Sequence, residues 1–418
     1  MKVMTENRVE PKLRFRDFER EWIKSTLGNE LDYTKGFAFK SNDYTDKGVR
    51  IVRVSDLLSS SIKTNNEKVF ISKDDESKYL KYKIQKGNII ITTVGSHPDL
   101  IESAVGRGIY ILHNDEGLLN QNMLKLENNN TVNNKFIHSI INSPRYIHYI
   151  KSIKRGNANQ ANITVKELLQ YKISLPSISE QQKIASFLSA VDEKLQQLTK
   201  KKELLEEYKK GVMQHIFSGE LRFKDDKGNN YPDWEEKKLG EVVSERNIKA
   251  PKSNSYPLMS FVAYKGVRPK GKRYNREFLV NDENNKKYKK TEYGDFIYSS
   301  NNLETGSIGL NRYGAASISP VYSIFKIGEL CNYQFISSYL LRKIFINKMI
   351  GFRQGVVYGQ WKIHESNFLK IKDKFPSLEE QNKIADFLSA LDSKIELVRT
   401  QIENTKAFKK GLLQQMFV

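Results

Sequence analysis

Residues 176–217 and 376–417 are one helix-forming stretch written twice, aligning without a gap at an offset of 200 residues. Within the first 20 aligned positions 13 are identical, and the Lys-Lys-Gly of 209–211 recurs at 409–411. Agreement of that density means duplication within the chain. In the first copy apolar residues recur at steps of four and three: Ile184, Leu188, Val191, Leu195, Leu198, then Leu205, Val212 and Ile216. The second repeats the seam with Ile384, Leu388, Leu391, Ile395, Val398, Ile402, Leu412 and Met416. A mean spacing of about 3.5 residues is a coiled-coil seam, so each helix needs a second helix. Lys202, Lys209, Thr405 and Lys409 fall on the seam, where a polar side chain costs stability but can fix register. Pro176 and Pro376 end the strand-like runs before them, and Ser177 and Ser377 precede Glu180 and Glu380 by three residues, as in a capping box. About 40 residues rising about 1.5 Å each make helices about 60 Å long.

The duplication extends over the whole chain. Leu13-Arg14-Phe15, Trp22 and Leu27-Gly28 return as Leu221-Arg222-Phe223, Trp234 and Leu239-Gly240, with four more residues between Phe and Trp. The repeated unit is a lead-in segment, a globular part and a long helix. The spacing predicts lead-ins at 1–24 and 218–236, globular parts at 25–176 and 237–376, and long helices at 177–217 and 377–418. In the first globular part, strand-like runs at 49–54, 88–94, 108–112 and 123–126 precede a helical pattern over 132–153. In the second, strands are expected at 256–262, 295–299 and 317–327, before a helix over 333–350. Lys86-Gly87-Asn88-Ile89 and Tyr293-Gly294-Asp295-Phe296 occupy corresponding places, each a turn feeding a strand. The expected fold class is α+β: two globular domains separated by two long antiparallel coiled-coil helices, related by a pseudo-twofold internal repeat.

With 418 residues, 39% hydrophobic and 11% aromatic, the chain can bury two or three cores. Its 69 basic against 49 acidic residues give a formal charge of +20, which favours a polyanionic partner, although a merely basic surface has the same composition. A single cysteine, Cys331, excludes an internal disulfide and fits a reducing cytoplasm. The first residues lack the apolar core of a signal peptide, and no window approaches 18 apolar residues, so a soluble cytoplasmic protein without a membrane partner is expected. Catalytic signatures are missing: no Asn-Pro-Pro-Phe-like or Asp-Pro-Pro-Tyr-like methyltransferase motif, no phosphate loop, and no zinc constellation among six scattered histidines. The glycines of 307–314 read as turn residues.

Four features occur twice and in register: the Pro-Ser that closes each globular part (Leu-Pro-Ser at 175–177, Phe-Pro-Ser at 375–377), the Glu-Gln-x-Lys-Ile helix start (180–184, 380–384), the Phe-Leu-Ser-Ala-x-Asp that follows, and the Arg-Phe, Trp, Leu-Gly lead-in. Over its full length the chain resembles the DNA-specificity subunit of type I restriction-modification enzymes. The resemblance implies a non-catalytic subunit in which each globular part is a target recognition domain reading one half of a split double-stranded DNA sequence, with the helices as the ruler for the gap. It implies two methyltransferase subunits as partners, docked on the repeated helices, and restriction/translocase subunits beyond them. No cofactor is expected on this chain; S-adenosylmethionine, ATP and magnesium belong to the partners. The alternatives are a stand-alone DNA-binding regulator, a coiled-coil scaffold binding nucleic acid or membrane non-specifically, and a nuclease with an unrecognised site.

Base edges are read by arginine, lysine, asparagine and glutamine, whereas phosphates need only positive charge and amides. In the first globular part the candidates are Lys35, Phe39 and Lys40, the Thr92-to-His97 turn with Ser96, Arg107, and the polar loop Arg155, Asn157, Asn159 and Gln160. In the second they are Lys265, Arg268, Lys270, Lys272 and Arg273 in a basic run read as a loop, with Asn301, Asn302, Arg312, Arg353, Gln354 and Tyr358. At the helix starts, Glu180, Gln181, Lys183, Glu380, Gln381 and Lys383 lie off the apolar stripe. They are read as exposed, and the resemblance assigns them to methyltransferase docking.

Overall fold

The computed structural model of the chain describes residues 10–100, 104–128, 131–156, 160–269, 286–356 and 360–418. It divides into two units, Met1–Lys201 with Val398–Val418, and Lys202–Leu397.

In the first unit four antiparallel strands lie in the order Leu31–Lys35, Met123–Asn128, Ile89–Thr92, Gly108–Tyr110. The Ile89-Ile90-Ile91 run is apolar throughout because the sheet is covered on both faces. Ile89 and Ile91 pack with Phe136, Ile137 and Ile141, while Ile90 packs on the other side with Val52, Ile84 and Ile109. The helix expected over 132–153 is two helices, Asn134–Ile141 and Pro144–Ile153. Ser143 caps the second, accepting from the Tyr146 N–H, and Pro144 takes a first-turn position, where its missing N–H is harmless.

The second unit repeats this plan with strands Val243–Glu245, Ser323–Ile327, Phe296–Tyr298 and Ile308–Leu310. Phe296, Tyr298 and Phe325 face an aromatic core with Phe335, Tyr339 and Phe368, whereas Ile297 and Ile324 pack against Met259, Phe261 and Ile318. Its helical stretch is also split, into Tyr333–Leu340 and Lys343–Ile350. The strand expected over 317–327 is two, Ala316–Ile318 and Ser323–Ile327, with Pro320 in the turn between them. The strand-like run ended by Pro376 is short, Lys372–Phe375, because the helix Glu365–Lys370 precedes it.

The corresponding turns match bond for bond. Gly87 (φ +91°) and Gly294 (φ +86°) adopt the left-handed conformation that suits glycine. Their N–H groups donate to the Ile111 and Asn311 carbonyls. The next side chain closes each turn, Asn88 accepting from the Gln85 N–H at 2.8 Å and Asp295 from the Glu292 N–H at 2.7 Å. The lead-ins match too. Ile23–Thr26 pairs with Lys172–Leu175, and Glu235–Lys238 with Lys372–Phe375. The glycine after each leucine permits a close crossing: a Cβ at Gly28 would stand 3.0 Å from Leu169 Cβ, and one at Gly240 3.3 Å from the Leu369 carbonyl oxygen.

The long helices are Ile178–Ser218 and Leu378–Gln415, and each contributes residues to both units. Burial along them follows the seam, with Lys202, Lys209, Thr405 and Lys409 partly buried between exposed neighbours. In the first unit Ile184, Leu188 and Val191 share a core with Leu412, Leu413 and Met416, and Lys409 Nζ lies 2.5 Å from Asp192. The two segments run antiparallel there. Leu13 donates its N–H to the Gln415 carbonyl while Arg14 reaches Glu180, so the facing residue falls from 192 toward 180 as the other rises from 409 to 415. In the second unit Ile216 packs with Ile384 and Leu388, and Lys209 lies 2.5 Å from Asp392. Among the described residues no helix is long and apolar enough to cross a membrane.

Candidate nucleic-acid interface

In the first unit the strand Ile89–Thr92 leads into a loop that returns at Gly108–Tyr110. Against this loop lies a hairpin, Arg155–Gly156 paired with Ala161–Asn162, which in turn pairs with Val94–Gly95. Candidates about sixty residues apart in sequence are thereby joined: Ser96 and His97 on the loop, Arg155 and Gln160 on the hairpin. Ser96 bridges to Ala104, and the His97 ring accepts from the Asp99 N–H at 3.3 Å. Lys35, Leu124, Ile91 and Gly108 form one row across the sheet, so Lys35 and Arg107 stand at the end from which the loop departs. Arg107 is half-buried and its Nε has no hydrogen-bond partner among the described residues. Burial pushes its guanidinium pKa down. Arg155 is exposed and held by two 2.8 Å hydrogen bonds to Glu167. Arg155 and the Thr164 hydroxyl together hold the Glu167 carboxyl down at about 2.

Two candidates of this unit are core residues instead. Phe39 packs with Ile51, Ile71 and Leu118, its ring 5.0 Å from those of Phe37 and Tyr79. The stretch around it is built for packing, since a Cβ on Gly36 would sit 1.8 Å from the Asn120 carbonyl oxygen. Lys35 and Lys40 on either side are exposed. Thr92 is buried and its hydroxyl donates to the Ala104 carbonyl at 2.7 Å, closing the base of the loop. Asn157 and Asn159 lie outside the described residues.

The second unit presents the same pairing of loop and hairpin with different side chains. The loop 299–307 joins the strands Phe296–Tyr298 and Ile308–Leu310, and the hairpin is Gln354–Val356 with Gln360–Lys362. Two bonds fasten them: the Trp361 N–H donates to Asn301 Oδ1 at 2.6 Å and the Ile363 N–H to Ser300 Oγ at 3.0 Å. Arg353 crosses from the hairpin to Glu304 on the loop through two hydrogen bonds, 2.5 and 2.7 Å, and lowers the carboxyl's pKa. Gln354, Asn301 and Asn302 are exposed beside it. A further hairpin, Met259–Val262 with Gly266–Pro269, carries Lys265 and Arg268 into solvent and touches the loop where the Tyr264 N–H donates to the Gly306 carbonyl at 3.0 Å. Arg312 does not join this group. It follows Ile308–Leu310 at the opposite end of the sheet, next to Asn311, whose N–H bonds the Asp295 carbonyl. Lys270, Lys272, Arg273 and Tyr358 lie outside the described residues.

The basic run is not a continuous loop. Gly266–Pro269 and Tyr288–Thr291 are strands, and Lys289 and Lys290 are buried. Lys290 donates to the Pro251 carbonyl at 3.0 Å and stands over the Tyr256 ring at 4.4 Å. Sequence reasoning misses Tyr264, Trp361, Glu167 and Glu304, since an aromatic residue or a lone carboxylate bears no mark of exposure or pairing.

The helix starts also differ from expectation. Glu180, Gln181, Glu380 and Gln381 are buried, because the lead-in segments fold across them. Glu180 accepts from Arg14 at 2.8 Å; Glu380 accepts from Arg222 at 2.7 Å and from Trp234 Nε1 at 3.1 Å. Half of each capping box survives: Ser177 and Ser377 accept from the glutamate N–H groups, but the carboxylates turn to the arginines. Gln181 and Gln381 accept from the Asn133 and Asn332 N–H groups, tying the helix starts to the globular parts. Lys183 and Lys383 reach outward to Asp17 and to Asp226.

Residues 19–207 and 231–406 match the family model described as the type I restriction modification DNA specificity domain. The chain belongs to this family. It is 25% identical over 95% of its length to the putative type I restriction enzyme MjaX specificity subunit of Methanocaldococcus jannaschii, covering 93% of that protein. It is 23% identical over 94% of its length to the MjaVIII specificity subunit of the same organism, covering 91% of it. Its fold is that of the type I restriction-modification S subunit from M. genitalium, with a TM-score of 0.58 at 17% identity, covering 98% of this chain and 99% of that one. The loop-and-hairpin platforms are thus parts of a DNA-recognition subunit.

Proposed function

We propose that the two units each read one half of a split double-stranded DNA target, and that the long helices shared between the units set the unspecified gap. The observation that carries this reading is the recurrence of one loop-and-hairpin platform in both units with different side chains: His97, Arg155 and Gln160 in one, Asn301, Arg353 and Gln354 in the other. A repeated frame bearing different polar groups suits two different half-sites. Arg155, Gln160, Asn301 and Gln354, all exposed, supply base readout, while Lys35, Lys40, Lys265 and Arg268 supply charge for phosphates. The chain itself is the non-catalytic, cytoplasmic partner. Two methyltransferase subunits dock along the exposed sides of the long helices, where Lys183 and Lys383 are the outward members of the expected docking set, and restriction/translocase subunits join through them. S-adenosylmethionine, ATP and magnesium act on those partners.

The test is to map N6-methyladenine in cells expressing this chain with its methyltransferase, against cells lacking the chain. A chain-dependent mark at a two-part sequence with a fixed gap is expected. A contiguous target, or no chain-dependent mark although the partner binds, would overturn the reading in favour of a regulator or scaffold.

A further inference from the structure

Of the exposed aromatic side chains of the second unit, Tyr264 and Trp361 are fastened to its loop-and-hairpin platform. Tyr264 is 81% exposed and Trp361 51% exposed. Both are fastened to the loop 299–307, Trp361 through its N–H to Asn301 and Tyr264 through its N–H to the Gly306 carbonyl. Tyr264 holds φ at +59°, a left-handed conformation that turns normally give to glycine or asparagine. A three-residue hairpin loop with tyrosine at that position is less stable than one with glycine, so the ring is there for something other than the turn. It is also posed. The hydroxyl donates to the Glu304 carbonyl at 3.5 Å, and the ring lies so close over Gly306 that a Cβ there would come within 2.4 Å of it. Of the exposed side chains beside it, Lys265 and Arg268 are cationic, and the Glu304 carboxylate is already paired with Arg353.

From this we propose that Tyr264 and Trp361 contact nucleobases, stacking on or wedging beside bases that the second unit partly unstacks. An aromatic face set in positive charge matches a polyanion whose interior is flat rings, whereas an apolar protein partner would gain nothing from the surrounding lysine and arginine. The first unit has Ala161 in a hairpin position equivalent to Trp361, so the two units differ in mode: the second adds base stacking to hydrogen-bond readout. The inference rests on the DNA-reading role and would make the half-site of the second unit sensitive to base-step flexibility.

The test uses the full chain assembled with its methyltransferase subunits, a duplex bearing the target found by methylation mapping, and a scrambled duplex of the same composition. Trp361→Ala and Tyr264→Gly are each expected to weaken target binding about tenfold while leaving the salt dependence of binding unchanged. Trp22 is buried and Trp234 is half-buried with its indole N–H on Glu380, and Trp361→Phe assigns any change in indole emission: wild type is expected to quench on the target duplex and the phenylalanine variant to keep its affinity but lose the quench. Tyr264→Gly suits the turn and should remain folded by circular dichroism, so its loss of affinity would not reflect unfolding. Target binding at wild-type affinity by both truncations, or a reduced salt slope in either, overturns the proposal. A wild-type complex that does not prefer the target duplex overturns the DNA-reading role and the proposal with it.

Discussion

Arg222 Nε donates to Glu380 Oε1 at 2.7 Å across 158 residues of sequence, and Glu380 is wholly buried. The same carboxylate accepts from the Trp234 indole, so one glutamate ties the lead-in segment to the start of the second long helix. Removing Glu380 leaves the Trp234 indole N–H and the Arg222 Nε without their acceptor, while Arg222 keeps the Pro232 carbonyl at 2.6 Å. Glu380→Ala is expected to destabilise the second unit by about 3 kcal/mol, measured by urea denaturation, and Glu180→Ala the first unit similarly through Arg14.

Lys409 and Asp192, like Lys209 and Asp392, are a seam lysine and the aspartate of the Phe-Leu-Ser-Ala-x-Asp run. Lys409→Asp and Asp192→Lys alone should each lower stability by about 1 kcal/mol. Combined, they should recover most of the loss in thermal melts, because the swapped charges face each other again. Failure of the double variant to recover would show that the lysine acts through its stem and not its charge.

His138 lies against the Tyr110 ring, rings 6.0 Å apart. Burial first, then the Lys409 charge, pushes its pKa down to about 4, with Asp192 opposing. The unfolded chain therefore binds the proton more readily than the folded one between about pH 6.5 and pH 4. Stability is present in full above this window and is lost as pH falls through it. Acid titration of the melting temperature should show this slope, and His138→Gln should flatten it.

Lys265 and Arg268 project from one hairpin beside the second platform. Replacing both with alanine should weaken binding of any duplex, target or not, and reduce the slope of log affinity against log salt by about two. An unchanged slope would place this hairpin away from phosphates.

The long helices are legible in the sequence because their constraint is local. A seam every 3.5 residues or so is visible along the chain, and burial at Ile184, Leu188 and Val191 in the first copy, and at Leu391 and Val398 in the second, follows it. The strands at Ile89–Thr92 and Phe296–Tyr298 are visible for the same reason, as short apolar runs fed by glycine turns. The platforms are not legible as surfaces. That Val94–Gly95, just before His97, joins the Arg155 hairpin depends on pairing across about sixty residues, which no local pattern records. Residue type also misleads where burial decides. Phe39 and Thr92 have the chemistry of contacts but serve the core and the loop base, and Glu180 and Gln181 look exposed on a helical wheel until the lead-in segment folds over them.

The first unit's core contains Leu412, Leu413 and Met416 alongside Trp22, Phe136 and Ile184. During synthesis, most of that unit leaves the ribosome long before these three residues exist. Its apolar surface must wait, uncovered, while the whole second unit is translated. A message cut short within the second long helix would thus leave the first unit without part of its own core.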